Sequence, residues 1–334
     1  MNHELRKCII ELRKIQETMR TEFGLEDIYS NSKIYEIMIA NELGHRPIAG
    51  HSGTRNGKTV DGEFEYKHYK ESSSNHSWTF NDYSDNVIEK LKDAKSVIFA
   101  HIDDSNVNCP MFDWYIEVNG SQCSSYLKYR TEALLERKPK GKVNNRRMIN
   151  FSPKQLEDDL KISKTYVKHI GTKGKFTRYL SAINEISGKI ESITKIGQIQ
   201  TSNKLWELLT AIPLEHQVLT EQAGHDAKDN YGNLYEYKVA KNTSWNFQDI
   251  SEKVLIKYRG DKSIILSTVN KERLEVTKIF IADSNKVVVL LKMKLNEKKI
   301  KYEKNGKELR RLAVSISKGD LAKVNAVEFP LHIS

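Results

Sequence analysis

The feature that most constrains this chain is that its 334 residues carry one sequence pattern twice. SWTFND at Ser77–Asp82 is answered by SWNFQD at Ser244–Asp249, about 170 residues later. Other matching blocks keep the same order at nearly the same spacing, including two copies of Glu-Tyr-Lys, at Glu65–Lys67 and Glu236–Lys238. Chance similarity does not keep many blocks in order. We therefore interpret the chain as a tandem duplication.

The duplication suggests where the domains lie. We expect an N-terminal helix at 1–24, a first module at 25–160, a connector at 161–194 and a second module at 195–334. The connector contains KISKTYVKHIGTKGKFTRYL, which is basic and aromatic and is predicted to be helical toward its end.

Both modules follow the same coarse plan. Each opens with a helical stretch, KIYEIMIANEL or KLWELLTAI, followed by a polar hairpin whose second strand holds Glu-Tyr-Lys. A helix then follows the Trp motif, as DNVIEKLKDA or EKVLIKYRG, and leads to a buried strand, SVIFAHI or SIILSTV. The segments WYIEV and KVVVLLKMKL are predicted to add further strands. The expected fold class is α/β, a mixed sheet flanked by helices, present twice.

Composition excludes several classes of protein. The formal net charge is +10 and the pI is near 9.2, which is compatible with a polyanionic partner. No apolar run approaches the ~18 residues of a membrane helix, and charges interrupt the apolar N-terminal stretch, so we expect neither a membrane protein nor a signal peptide. Three cysteines without C-x-x-C spacing argue against a disulfide framework or a zinc cage: Cys8, Cys109 and Cys123. We expect a cytoplasmic protein with free thiols.

The second module holds a candidate metal site. Glu236 and Lys238 are two residues apart on a predicted strand and therefore share one face, and a hairpin can bring Asp226 beside them. Two carboxylates and an ammonium at a strand end suit Mg²⁺, which keeps several waters and accepts phosphate oxygens. Glu-x-Lys by itself is weak evidence, since it recurs at Glu297–Lys299 and surface strands often carry such solvated pairs. The duplicated motif favours the metal site.

These residues resemble the PD-(D/E)xK nuclease superfamily, in which an acid, a hairpin and then Glu-x-Lys form the active site. More narrowly, GHDAKDNYGNLYEYK at Gly224–Lys238 resembles the active-site hairpin of PvuII-type restriction endonucleases. The resemblance covers about 50 residues of each module. It implies two tandem restriction-endonuclease-like modules and Mg²⁺-dependent hydrolysis of DNA that leaves 5′-phosphates. By the same resemblance Asp226, Glu236 and Lys238 are catalytic, and Asp226, Glu236 and the main-chain carbonyl of Tyr237 bind the metal.

The first module departs from this pattern. It keeps Glu65 and Lys67, but Ser52 stands where the motif alignment places the leading acid, and a hydroxyl brings no negative charge to a Mg²⁺ site. Helix acids sometimes contribute in this superfamily, so Glu36 here and Glu207 in the second module are further candidates. One interpretation is a degraded first centre retained for DNA binding or pairing. The other is that Ser52 is misaligned and both modules cut.

The polar stretch after each Glu-Tyr-Lys is a candidate for base recognition. In PvuII-like enzymes this segment approaches the major groove, where Asn and Gln can bind adenine through two hydrogen bonds. The candidates are Asn75, His76, Ser77, Asn81, Asn242, Thr243, Ser244, Asn246 and Gln248. The alternative is that these residues cap the next helix, with Asp82 and Asp249 as helix-start acids. For the neighbouring aromatic residues we prefer a core role: Trp78, Phe80, Trp245 and Phe247.

Two basic runs near the module ends are candidate phosphate-binding loops, at 137–147 and 298–311. Together these features predict a type II restriction endonuclease of two fused modules that binds double-stranded DNA. If one module is inactive, cutting both strands needs a homodimer or two sequential nicks. Two alternatives stay open: a DNA-binding protein that does not cut, and a repair or junction nuclease on the same scaffold.

Overall fold

The fold is known from a computed structural model that describes residues 3–50, 55–137, 147–168, 174–200, 203–220, 224–306, 309 and 311–331. No helix within these ranges is both long enough and apolar enough to cross a membrane.

The first half of the chain forms a mixed sheet with helices around it. In chain order its elements are α1 (His3–Phe23), α2 (Lys33–Leu43), β1 (Arg46–Pro47), β2 (Gly57–Thr59), β3 (Gly62–Lys70), β4 (Trp78–Asn81), α3 (Asp85–Leu91), β5 (Ser96–Asp103), β6 (Met111–Asn119), α4 (Gly120–Arg137), β7 (Met148–Phe151), α5 (Pro153–Leu160) and β8 (Thr165–Tyr166).

The second half repeats this order, with a 3₁₀ helix in place of α5. Its elements are α6 (Thr177–Thr194), α7 (Lys204–Leu214), β9 (Gln217–Val218), β10 (Ala227–Lys228), β11 (Leu234–Ala240), β12 (Ser244–Phe247), α8 (Glu252–Gly260), β13 (Ser263–Asn270), β14 (Glu275–Asp283), α9 (Ser284–Lys304), β15 (Val314–Ser317), the 3₁₀ helix (Lys318–Val324) and β16 (Val327–Phe329). Helix α6 lies inside the segment interpreted above as a connector and occupies the place that α1 has in the first half.

The two main sheets have the same strand order. It is β1-β2-β3-β5-β6-β8 in the first half and β9-β10-β11-β13-β14-β16 in the second. In each sheet the pair that follows the hairpin is parallel, β3 with β5 and β11 with β13, and the other pairs are antiparallel. The predicted mixed α/β fold is confirmed, as are the helices α2, α3, α7 and α8 and the buried strands β5 and β13.

One predicted strand is wrong. The run Lys286–Leu295, whose valines favour a strand, lies inside helix α9. Its buried residues include Val287, Leu291 and Leu295, which recur at helical spacing and so place one face of a helix against the core. Asp283 caps the helix by accepting a hydrogen bond of 2.9 Å from a first-turn amide. Packing and capping together outweigh the local preference of β-branched residues for strands.

Equivalent parts of the two halves contact each other reciprocally. Helix α1 packs on α6. Arg13 of α1 donates through Nε to the carbonyl of Leu274, 3.1 Å away in the turn between β13 and β14. Asn184, at the matching place in α6, lies 3.7 Å from Sγ of Cys109 in the turn between β5 and β6. Reciprocal contacts of this kind are those of a two-fold axis, here between two halves of one chain.

The halves also share one apolar cluster. It contains buried residues from α1, α2, α6 and α7 together with strand residues of both sheets, among them Leu12, Met19, Ile183, Ile190 and Trp206. A separate cluster in each half surrounds Trp78 or Trp245. Because the shared cluster spans the axis, neither half can lose its structure without exposing apolar surface of the other.

We expect Leu12→Ala, which truncates a fully buried side chain of α1, to lower the free energy of unfolding of the whole chain by about 2–5 kcal/mol. Ile10→Ala on the same helix is the control, because Ile10 is exposed and such changes stay within about 0.5 kcal/mol. Urea unfolding followed by tryptophan fluorescence and by circular dichroism measures both. Two separate transitions would contradict a shared core.

Candidate active site

Asp226 lies where the hairpin strand β10 begins. Its main-chain amide donates to the carbonyl of Tyr235 at 3.0 Å, and its carbonyl accepts from Leu219 at 2.9 Å. Pairing of β10 with β11 ends at Tyr235. The next amide on that edge, of Tyr237, therefore has no strand partner there and donates instead to Oδ2 of Asp226 at 2.7 Å. This hydrogen bond fixes the carboxylate against β11.

Asp229 organises the turn of the hairpin. Its carboxylate accepts hydrogen bonds from the amides of Tyr231 and Asn233, from the Asn233 side chain and from the Tyr235 hydroxyl, all between 2.8 and 2.9 Å. Desolvation alone would raise its pKa, but these four donors outweigh it and the pKa is lowered. Gly232 completes the turn at φ +81°, which favours glycine.

Glu236 and Lys238 project together from β11, as predicted. The Lys238 ammonium pairs with Oε1 of the buried Glu236, and Nζ of Lys257 lies 2.8 Å from its Oε2. Burial alone would raise the pKa of Glu236, but the two lysines outweigh it and the pKa is lowered. Burial would lower the pKa of Lys238, yet Glu236, Tyr258 and the other neighbours raise it overall. Sequence reasoning missed Lys257, since nothing distinguishes it from other lysines of α8.

Asp226 is under electrostatic strain. Burial, then the carboxylates of Glu236 and Glu207, raise its pKa to about 7. Glu207 on α7 is itself paired with Lys204 at 2.7 Å. The helix acid suggested by the sequence therefore lies close enough to act on Asp226. A divalent cation would relieve the repulsion among these carboxylates.

The residues present fit a magnesium ion that keeps part of its water shell. Within the described ranges no group of three or more His, Cys, Asp or Glu side chains is arranged to hold a metal. Mg²⁺ needs fewer, because one or two carboxylates with waters and substrate oxygens suffice. A strand residue points its N–H and C=O to the same side, so the carbonyl of Tyr237 faces the edge on which Asp226 lies. Asp226, Glu236 and this carbonyl would hold the ion.

A second ionisable pair lies beside this centre. Nδ1 of His225 is 2.5 Å from Oδ1 of Asp261, whose side chain is buried at the end of α8. Burial raises the pKa of Asp261 to about 6 against the effect of His225. Sequence reasoning missed this pair, because the two residues are far apart in the chain.

The first half repeats the hydrogen bonds around the leading acid with a different side chain. The amide of Tyr66 donates to Oδ1 of Asn56 at 2.6 Å, as that of Tyr237 does to Asp226. The main chain of Asn56 also matches: its amide donates to Phe64 at 2.8 Å, and its carbonyl accepts from Ile48 at 2.8 Å.

Asn56 thus occupies the position of the leading acid, a residue that sequence reasoning missed. Ser52, to which the motif alignment assigned that position, lies outside the described residues. The sequence did contain a signal for this alignment. Lys58 matches Lys228, and Gly62 matches Gly232, at the same offset that matches Asn56 with Asp226.

The rest of the first centre is only partly preserved. Nζ of Lys67 is 2.8 Å from Oε1 of Glu65, and Glu36 is paired with Lys33 at 2.6 Å. Oε2 of Glu65 is buried without a hydrogen-bond partner among the described residues. Lys90, in the place of Lys257, is exposed.

The residues proposed to read DNA do not converge at one place. Asn246 is on the exposed side of β12 and lines a groove of about 810 Å³ with Lys294, Lys298 and Lys301 of α9. Gln248 follows the strand and is also exposed. Asn75 and Ser77 line a different cavity of about 340 Å³. Of the others, Thr243 is half-buried, and the rest are exposed: His76, Asn81, Asn242 and Ser244.

The aromatic residues beside them are core residues, as expected. Trp78 and Trp245 are fully buried and donate through Nε1 to the carbonyls of Ala100 and Ser267 at 2.7 Å. Their neighbours Phe80 and Phe247 are buried too.

The predicted capping role of Asp82 and Asp249 is wrong. The capping positions belong to Ser84 and Ser251, and both aspartates have positive φ. Their carboxylates are instead paired with Arg311. Arg311 lies 2.8 Å from Asp249 in its own half and 3.5 Å from Asp82 in the other half.

The second of the two predicted basic loops differs from the structure, and most of the first is not described. Lys298, Lys299 and Lys301 lie on helix α9 rather than in a loop. Residues 138–146 of the first basic run lie outside the described residues.

Comparison of the sequence with known proteins assigns no family to the chain. No model of a known protein family matches the chain, and no curated protein matches it.

The raised pKa of Asp226 predicts an unusual pH dependence of the free energy of unfolding of the metal-free protein. An unfolded Asp ionises near pH 4 but Asp226 only near 7, so ionisation costs the folded state stability as pH rises through this window. We expect Asp226→Asn to be more stable than wild type at pH 8, by roughly 1–2 kcal/mol after solvent screening, and equally stable near pH 4. Urea unfolding in EDTA measures this.

Asp229→Asn is the matched control, because the pKa of Asp229 is lowered rather than raised. Its stabilising effect is present above the unfolded pKa, so this variant should lose stability at pH 8. If Asp226→Asn also loses stability at pH 8, the carboxylates do not repel one another as described.

Proposed function

We propose that this chain is a Mg²⁺-dependent, type II-like site-specific deoxyribonuclease composed of two restriction-endonuclease-like modules, with its chemistry in the second. The observation that carries the proposal is the joint placement of Asp226, Glu236 and Lys238 around one strand, with Asp226 locked to the amide of Tyr237. This is the arrangement that an acid, a hairpin and Glu-x-Lys produce in the PD-(D/E)xK superfamily.

The residues support hydrolysis of a phosphodiester. A bound magnesium ion would polarise the scissile phosphate and lower the pKa of a bound water. The Lys238 ammonium, kept charged by Glu236, is suited to orient that water and to offset charge on the phosphate. Water oxygen forms the new bond to phosphorus while the bond to O3′ breaks. The 3′ oxygen leaves with the electron pair and takes up a proton, and the 5′-phosphate remains on the other end.

Several features support double-stranded DNA as the substrate. The chain carries a net charge of +10, and three lysines of α9 line the groove beside Asn246: Lys294, Lys298 and Lys301. Lys294 is paired with Asp320, and Lys298 donates to the carbonyl of Ala313. Asn246 on the exposed side of β12 could read a base edge beside them. A protein that binds DNA without cutting it is the second candidate, and a repair or junction nuclease is the third.

Cleavage of supercoiled plasmid DNA with Mg²⁺ tests the enzyme proposal. We expect Glu236→Gln to lower the rate by about 10³ or more, because it removes a metal ligand and the partner of Lys238. Glu65→Gln is the matched variant from the first centre and should still cut. If the wild-type protein binds the plasmid but does not cut it with any divalent metal, the DNA-binding candidate is favoured. Faster cutting of branched than linear duplex would favour a junction nuclease.

Metal binding can be measured separately from activity. We expect Mg²⁺ to raise the unfolding temperature of the wild type in proportion to the logarithm of its concentration, since it binds only the folded state. Asp226→Asn should abolish this rise, whereas Asp61→Asn, which changes an exposed acid of the other hairpin, should keep it. An equal rise in all three proteins would place the ion elsewhere.

A further inference from the structure

We propose that one bound chain cuts only one strand of the duplex, and that Asn56 is the residue that silences the other centre. This inference rests on the proposed function and specifies its product, a nick in a fixed strand.

Asn56 cannot substitute for an aspartate as a metal ligand. The amide of Tyr66 is a donor, so it must be met by the Asn56 oxygen, as the 2.6 Å contact has it. The remaining side-chain atom is Nδ2, which carries two hydrogens. At the same place the second centre presents Oδ1, the other carboxylate oxygen of Asp226. A donor group repels a cation where a charged acceptor would bind it.

Asparagine in place of aspartate changes the chemistry of the first centre and little of its geometry. The three hydrogen bonds around Asn56 reproduce those around Asp226, and Lys67 meets Glu65 as Lys238 meets Glu236. The supporting pair of His45 and Tyr66, 2.8 Å apart, repeats that of His216 and Tyr237 at the same distance. One oxygen of Glu65 has no hydrogen-bond partner within the described ranges and is free to bind an ion.

A DNA duplex and the two halves of this chain have the same kind of symmetry. The strands of a duplex are related by local two-fold axes, and the halves of this chain are related in the same way through Arg13 and Asn184. If the two-fold axis of the duplex coincides with that of the protein, each DNA strand therefore lies at a different centre. Because one centre lacks its acid, the strand facing the second half is cut and the other is not.

The experiment compares products from a set of supercoiled plasmids with Mg²⁺, at enzyme concentrations below that of DNA. Wild type should accumulate open circles. Asn56→Asp should form linear DNA, with second-strand cutting about two orders of magnitude faster. Asn56→Ala, which supplies no carboxylate, should still give open circles. Apart from cutting, the double variant Asn56→Asp, Asp226→Asn should regain the Mg²⁺-dependent rise in unfolding temperature that Asp226→Asn alone loses, and no rise in that variant would also overturn the role of Asn56. The double variant Asn56→Asp, Glu236→Gln should nick the opposite strand, as mapped by run-off sequencing.

The outcomes separate this inference from the function on which it rests. Linear DNA from wild type without accumulated open circles overturns the inference and leaves the nuclease standing. The inference is also overturned if the wild type nicks both strands in turn, or if Asn56→Asp produces only nicked circles. No cleavage by wild type or Asn56→Asp overturns the proposed nuclease itself.

Discussion

The candidate site depends on one interrupted strand pairing. Strand β10 pairs with β11 over two residues only, so the amide of Tyr237 has no ladder partner on that edge and takes a side-chain acceptor from Asp226. A backbone amide left unpaired inside a protein costs about 1–3 kcal/mol, so the interaction holds the acid in place as well as satisfying the strand. The first half satisfies its strand in the same way, since Asn56 accepts a hydrogen bond from the amide of Tyr66. The geometry therefore follows from the hairpin and does not require a charged residue at this position.

A duplicated fold with a shared core allows the two copies to diverge in function while both stay folded. The cluster formed by α1, α2, α6 and α7 requires both halves, whichever centre is active. Differences outside it leave that cluster untouched, such as Asn56 for Asp226 at the strand edge and Ala94 for Asp261 at the end of the helix before β5 or β13. The two halves can therefore differ at their centres and keep the packing that they share.

The sequence predicted the repeat, the mixed α/β sheets and the hairpin that carries Glu236 and Lys238, because those features depend on local pattern. It failed where tertiary contacts decide. Lys286–Leu295 is a helix because its buried face matches the core, despite its valines. Asn56 was missed because the first hairpin is one residue shorter between acid and Glu-Tyr-Lys than the second, and the strand pairing makes this difference plain. The nuclease chemistry itself remains a proposal.

Charge explains why a duplicated chain would keep one acid and lose the other. In the second centre Glu236 is paired with Lys238 and Lys257, and Glu207 with Lys204. Asp226 accepts a hydrogen bond from the amide of Tyr237, and burial together with the two glutamates outweighs the effect of Lys238 and raises its pKa to about 7. Without metal, that carboxylate costs folding free energy at neutral pH. Asparagine at the equivalent place keeps the hydrogen bond and removes the charge. Under the proposed function, the first centre therefore gains stability from asparagine and gives up an ion ligand, an exchange of the kind expected where an active site costs stability.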